Sequence, residues 1–144
     1  MLLLNFLLVS SMTLLAQKAE VFSTSDGAIR GYDAIEYFKQ GKAIKGNPEN
    51  VIVWKDAKWY FASKENLALF KTNPEQYAPQ YGGYCAYGLS EGHKASTTPN
   101  AFNIVNGKLY LNYNTDVKAK WSKDLPGYIK KADANWPKVK TEKF

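Results

Sequence analysis

The sequence predicts a small α+β single domain: two β-hairpin–helix units followed by an additional C-terminal helix. Three observations carry that prediction. At 144 residues and 45% hydrophobic, the chain suits one domain with its own core. Two pairs of β-type runs, residues 51–54 with 58–62 and 101–105 with 108–112, each flank a short turn and precede an apolar helical pattern. The two units also match at an offset of 50 residues, where Lys58-Trp59-Tyr60-Phe61 aligns with Lys108-Leu109-Tyr110-Leu111 and Leu67 with Val117.

Residues 1–16 carry no charged side chain and are mostly apolar. Sixteen residues fall short of the roughly 20 that span a bilayer, and Leu14 and Ala16 suit the −3 and −1 positions of a cleavage site. A signal peptide is therefore expected, sending the protein to the periplasm or outside the cell. An uncleaved anchor is the alternative, and the only expected route to a membrane. Residues 17–30 read as a polar linker.

Residues 31–41 predict a short helix, with Asp33 as cap, Glu36 completing a capping box and Gly41 at the C′ position. Residues 42–50 read as a turn-rich connection. The first hairpin turns at Lys55-Asp56-Ala57, and Ser63 caps a helix to about Thr72 that points Leu67 and Phe70 inward and is stopped by Pro74. Asn106-Gly107 is the strongest hairpin signal in the chain. Asn114 then caps a helix with Val117, Trp121 and Leu125 on one face, ended by Pro126. Residues 126–136 form the additional helix, and residues 137–144 a frayed basic tail.

Charge is unevenly placed. From Lys118 to the end, eight lysines stand against three acids, which accounts for +5 of the net +6. These lysines alternate with Trp121, Tyr128, Ile129 and Trp136 at helical intervals, as on a solvated face, so no nucleic-acid partner is expected.

Chemistry concentrates in residues 81–93, which hold the only cysteine, Cys85, the only histidine, His93, four glycines and three tyrosines. A lone thiol in an oxidising compartment is buried, metal-held, reactive or paired with another molecule. Thiolate and imidazole eight residues apart suit a soft ion, and two ligands suffice for Cu(I) although not for structural zinc. A packed Cys85 that behaves as a small hydrophobe is the plain alternative. A thiol enzyme would need a base, for which only His93 offers an imidazole, and no nucleophile-elbow or papain-like signature surrounds Cys85. Walker and dinucleotide fingerprints are absent from the sequence.

Several stretches together resemble the YHS domain, in the form found in exported bacterial proteins. They are Gly31-Tyr32-Asp33-Ala34-Ile35-Glu36-Tyr37-Phe38, Trp59-Tyr60-Phe61-Ala62-Ser63, Asn73-Pro74-Glu75-Gln76-Tyr77, Tyr81-Gly82-Gly83-Tyr84-Cys85-Ala86-Tyr87 and Gly107-Lys108-Leu109-Tyr110-Leu111-Asn112-Tyr113-Asn114. The resemblance runs from Arg30 to Trp136, with the YHS-like domain at residues 31–136, and implies a relative of the TRASH-like group associated with heavy-metal handling. Metal-type members of that group carry cysteines where this chain has Ile35-Glu36, Ala62 and Asn66. The expected function is thus capture of a soft transition metal, copper above all, with Cys85 and His93 as ligands. An interaction module with a structural Cys85 is the alternative, and a thiol-dependent enzyme ranks third.

Overall fold

The computed structural model describes residues 19–144. The expected signal segment, residues 1–16, lies outside the described residues. Helices and short antiparallel hairpins make the expected α+β domain.

The first correction concerns the expected linker. Its described part is folded: β1 (Ser23–Thr24) and β2 (Gly27–Ala28) form a small hairpin, and Val21, Phe22, Ala28 and Ile29 are buried. The short apolar pairs at either end of Ser23–Gly27 were outweighed by their polar neighbours. Gly27, at φ +101°, lets β2 lie against β4, since a Cβ there would sit 2.6 Å from the Lys58 carbonyl oxygen.

In the first unit, helix α1 (Ala34–Lys39) starts at Asp33, whose Oδ1 accepts from the Ile35 amide at 2.8 Å. Gly41 follows its end at φ +64°. The reciprocal half of the expected capping box is missing, because the Glu36 carboxylate turns to Asn66 and Gln40 instead. Strand β3 (Asn47–Trp54) starts earlier than expected, absorbing the last four residues of the supposed connection, and pairs with β4 (Ala57–Phe61). Their turn contains two residues, Lys55 and Asp56, both left-handed at φ 48° and 59°, the geometry that matches strand twist. Ser63 caps α2 (Lys64–Thr72) through the Asn66 amide. Pro74 does not merely stop that helix. It opens a short one, α3 (Pro74–Tyr77), in the first-turn position where its missing N–H costs nothing.

Between the units, residues 81–93 are more ordered than a loop. A 3-10 turn (Gln80–Gly83) leads to α4 (Ala86–Ser90). The second hairpin, β5 (Phe102–Val105) and β6 (Lys108–Leu111), closes at Asn106-Gly107 as expected. Asn114 caps α5 (Thr115–Trp121) through the Val117 amide. That helix ends before Leu125, which opens α6 (Leu125–Val139) with Pro126 in its first turn. Helix α6 runs through Pro137 to a buried Val139, so the start of the expected basic tail is helical and packed.

Two apolar clusters result. One joins α1, β3, β4 and α2 around Trp59, Phe61 and Phe70, and borrows Leu109 and Leu111 from β6. The other gathers Tyr81, Tyr84, Leu89, Tyr110 and Trp121 beneath α6. Each hairpin sheet has only two strands, so neither unit buries its apolar face without the other. The described helices include none long and apolar enough to cross a membrane.

Candidate functional site

Cys85 ends the segment before α4 and is 2% exposed. Its Sγ donates to Asn112 Oδ1 at 3.4 Å, and the same oxygen accepts from the Tyr87 amide at 3.0 Å. Asn112, itself fully buried, therefore ties the thiol to the start of α4. Burial pushes the thiol above its ordinary range, although backbone amides of Gly88, Tyr113 and Tyr87 pull the other way. The result is a neutral, enclosed sulfur, the opposite of the electropositive, part-exposed setting of a reactive thiolate.

His93 is exposed and folds back beside α4: a Cβ added to Gly88 would lie 3.5 Å from its Nε2. The hydrogen bond of the Cys85 thiol goes to Asn112. Among the described residues, no group of three or more His, Cys, Asp or Glu side chains is gathered to hold an ion. A buried neutral thiol and an exposed imidazole are a poor fit to a soft-metal pair.

The positions where the family resemblance places cysteines do converge. Asp33, fully buried, accepts from the Ala62 amide at 2.7 Å and from Asn66 Nδ2 at 2.8 Å through Oδ2. Asn66 Nδ2 also donates to Glu36 Oε1 at 2.7 Å, while its Oδ1 accepts from Lys39 Nζ at 2.8 Å. Hard oxygens, an ammonium and committed hydrogen bonds do not suit a soft ion. The cluster instead cross-links α1, β4 and α2 by itself. Nothing in the spacing of Asp33, Glu36 and Asn66 announced this, apart from a polar residue on the inner face of α2.

The tyrosines of residues 81–93 are mainly structural. Tyr81 donates to Asp133 Oδ1 at 2.8 Å and Tyr84 to the Ala19 carbonyl at 2.8 Å, which joins this segment to α6 and to the N-terminal side. Burial raises both phenols, Tyr84 to about 12. Tyr81 sits at φ +58° and Gly82 at φ +62°, so the chain bends sharply against residue 20. Lys94, almost enclosed, donates to the carbonyls of Ala19, Lys140 and Glu142 and lies 4.8 Å from the Tyr84 ring centre. It clasps both ends of the described chain.

A feature the sequence reading missed lies at the seam of the two units. Trp54 and Trp59 from the first hairpin, Tyr81 from the connecting turn and Trp136 from α6 line a cleft of about 100 Å³. Glu20, Lys55, Glu75 and Gln80 form its polar part. Lys55 Nζ stands 3.1 Å from both Glu20 Oε1 and Glu75 Oε1, and 4.8 Å from the centre of the Trp54 ring. Desolvation opposes its charge, but the two carboxylates outweigh that and raise its pKa. Aromatic residues spread over 82 positions meet here, and no local motif could have signalled it.

Comparison with family models, with curated proteins and with solved structures gives no match to this chain. The YHS resemblance accordingly rests on the quoted motifs.

Proposed function

We propose that this chain is a non-enzymatic binding module, an exported YHS-type scaffold in which Cys85 is structural and the aromatic cleft at the seam is the working surface. One observation carries the reading: the Cys85 sulfur is enclosed, protonated and hydrogen-bonded to Asn112. A group so held contributes packing and a link between β6 and α4. The cleft, by contrast, combines aromatic surface with charged groups that water still reaches.

Capture of Cu(I) by Cys85 and His93 is the competing proposal, and one experiment separates the two. Native protein and Cys85→Ser are titrated with Cu(I) against a competing chelator, and the native thiol is treated with an alkylating reagent. Equal copper retention by both proteins, and a thiol that reacts only on unfolding, are expected. Tighter copper retention by the native chain, lost in Cys85→Ser, would overturn the binding-module reading.

A further inference from the structure

We infer that the seam cleft binds a small organic cation, an alkylammonium headgroup, held by the aromatic wall and neutralised by Glu20 and Glu75. The inference rests on the binding-module reading and adds the class of ligand.

The chain itself supplies the first argument. Lys55 already places an ammonium at the cleft, over the Trp54 ring at 4.8 Å and 3.1 Å from each carboxylate. Aromatic faces carry negative quadrupole density and attract cations, most strongly at Trp. The local chemistry is thus demonstrated by an internal occupant of the same class.

Charge supplies the second. Glu20, Glu75 and the Lys55 ammonium are the charged groups that line the cleft, and Lys94, which also interacts with Glu20, stands outside that lining. An anion would meet Glu20 and Glu75, whereas a cation that takes the place of the Lys55 ammonium meets the same two carboxylates.

Size supplies the third. A cleft of about 100 Å³ is well below the roughly 300–1,000 Å³ of sites for drug-sized ligands. It excludes a nucleotide or an oligosaccharide and admits a compact headgroup. Trp136, half-buried, offers the accessible ring of the remaining wall, with Trp59 and Tyr81 almost enclosed behind it.

Lys55 does not bar entry. Its ion pairs are substantially exposed, a setting in which such pairs are weak and exchange with solvent. An incoming cation displaces the Lys55 side chain into water without disturbing the hairpin, since the turn is held by backbone geometry.

The test titrates tetramethylammonium and choline into the full chain and follows the indole N–H signals of Trp54, Trp59 and Trp136. The neutral carbon isostere of choline serves as control. Saturable shifts with both cations and none with the isostere are expected. Lys55→Gln should tighten binding about tenfold by freeing both carboxylates, and Glu75→Gln should weaken it by about the same factor. Trp136→Ala should weaken it about fivefold. Added salt should weaken every cation interaction. Binding of the isostere as tightly as choline would overturn the cationic class while leaving a ligand-binding module in place. Unmoved indole signals with every probe would overturn the cleft site itself, as would weaker binding in Lys55→Gln. The binding-module reading stands or falls separately, on copper retention and thiol reactivity.

Discussion

Replacing Asp33 by alanine tests whether the buried polar cluster is a cross-link or only a helix cap. As a cap alone, Asp33 satisfies the Ile35 amide, and its removal costs about 1 kcal/mol. As a cross-link it also holds the Ala62 amide and Asn66 Nδ2. Asp33→Ala leaves the Ile35 amide, the Ala62 amide and one N–H of Asn66 Nδ2 without an acceptor, the first and last of them inside the protein, at about 1–3 kcal/mol for each buried group. The total, about 4 kcal/mol, is a large share of the roughly 5–15 kcal/mol that holds a small domain together. With a urea m-value of about 2 kcal/mol/M, the midpoint should fall by about 2 M. Urea unfolding followed by tryptophan fluorescence measures this directly. Ser63→Ala, which removes an outer cap on the Asn66 amide, gives the comparison and should lose about 1 kcal/mol. A loss for Asp33→Ala no larger than for Ser63→Ala would refute the cross-link.

Two more consequences follow from the tyrosine segment. Gly82→Ala should cost about 3 kcal/mol or more: its φ is +62° and the new Cβ would stand 1.7 Å from the Glu20 carbonyl oxygen. Hydrogen exchange should then speed up at the Phe22 amide, which donates to the Gly82 carbonyl at 2.8 Å; unchanged protection there would refute the close approach. Alkaline stability is the second. Tyr37, Tyr81 and Tyr84 have phenols raised by burial in the folded state, so the unfolded chain releases these protons first. Their contribution is intact below about pH 10, the ordinary phenol value, and is lost as pH climbs toward the folded values, about 12 for Tyr84. Thermal melts between pH 9 and 12 should show a steep fall that is shallower in Tyr84→Phe, and equal slopes would contradict it.

Local rules legible in the sequence determined much of this protein. Asp33, Ser63 and Asn114 cap helices because short polar side chains reach the orphan amides two or three residues further on. Asn106-Gly107 closes its hairpin because both residues accept a left-handed conformation. Those signals act over a few residues, and so survive without knowledge of the fold. The expectations that failed depend on partners far along the chain. Glu36 left its capping box for Asn66, 30 residues away, and the apparent linker became a strand pair once β4 offered a surface. Cys85 carried a ligand and nucleophile signal by residue type alone, whereas its buried hydrogen-bond partner is Asn112, 27 positions later. Only the tertiary structure decided that Trp54, Tyr81 and Trp136 share a cleft with an ammonium between two carboxylates. The physical reason is that burial and electrostatic environment belong to assemblies of distant groups, while caps and turns belong to the backbone next door.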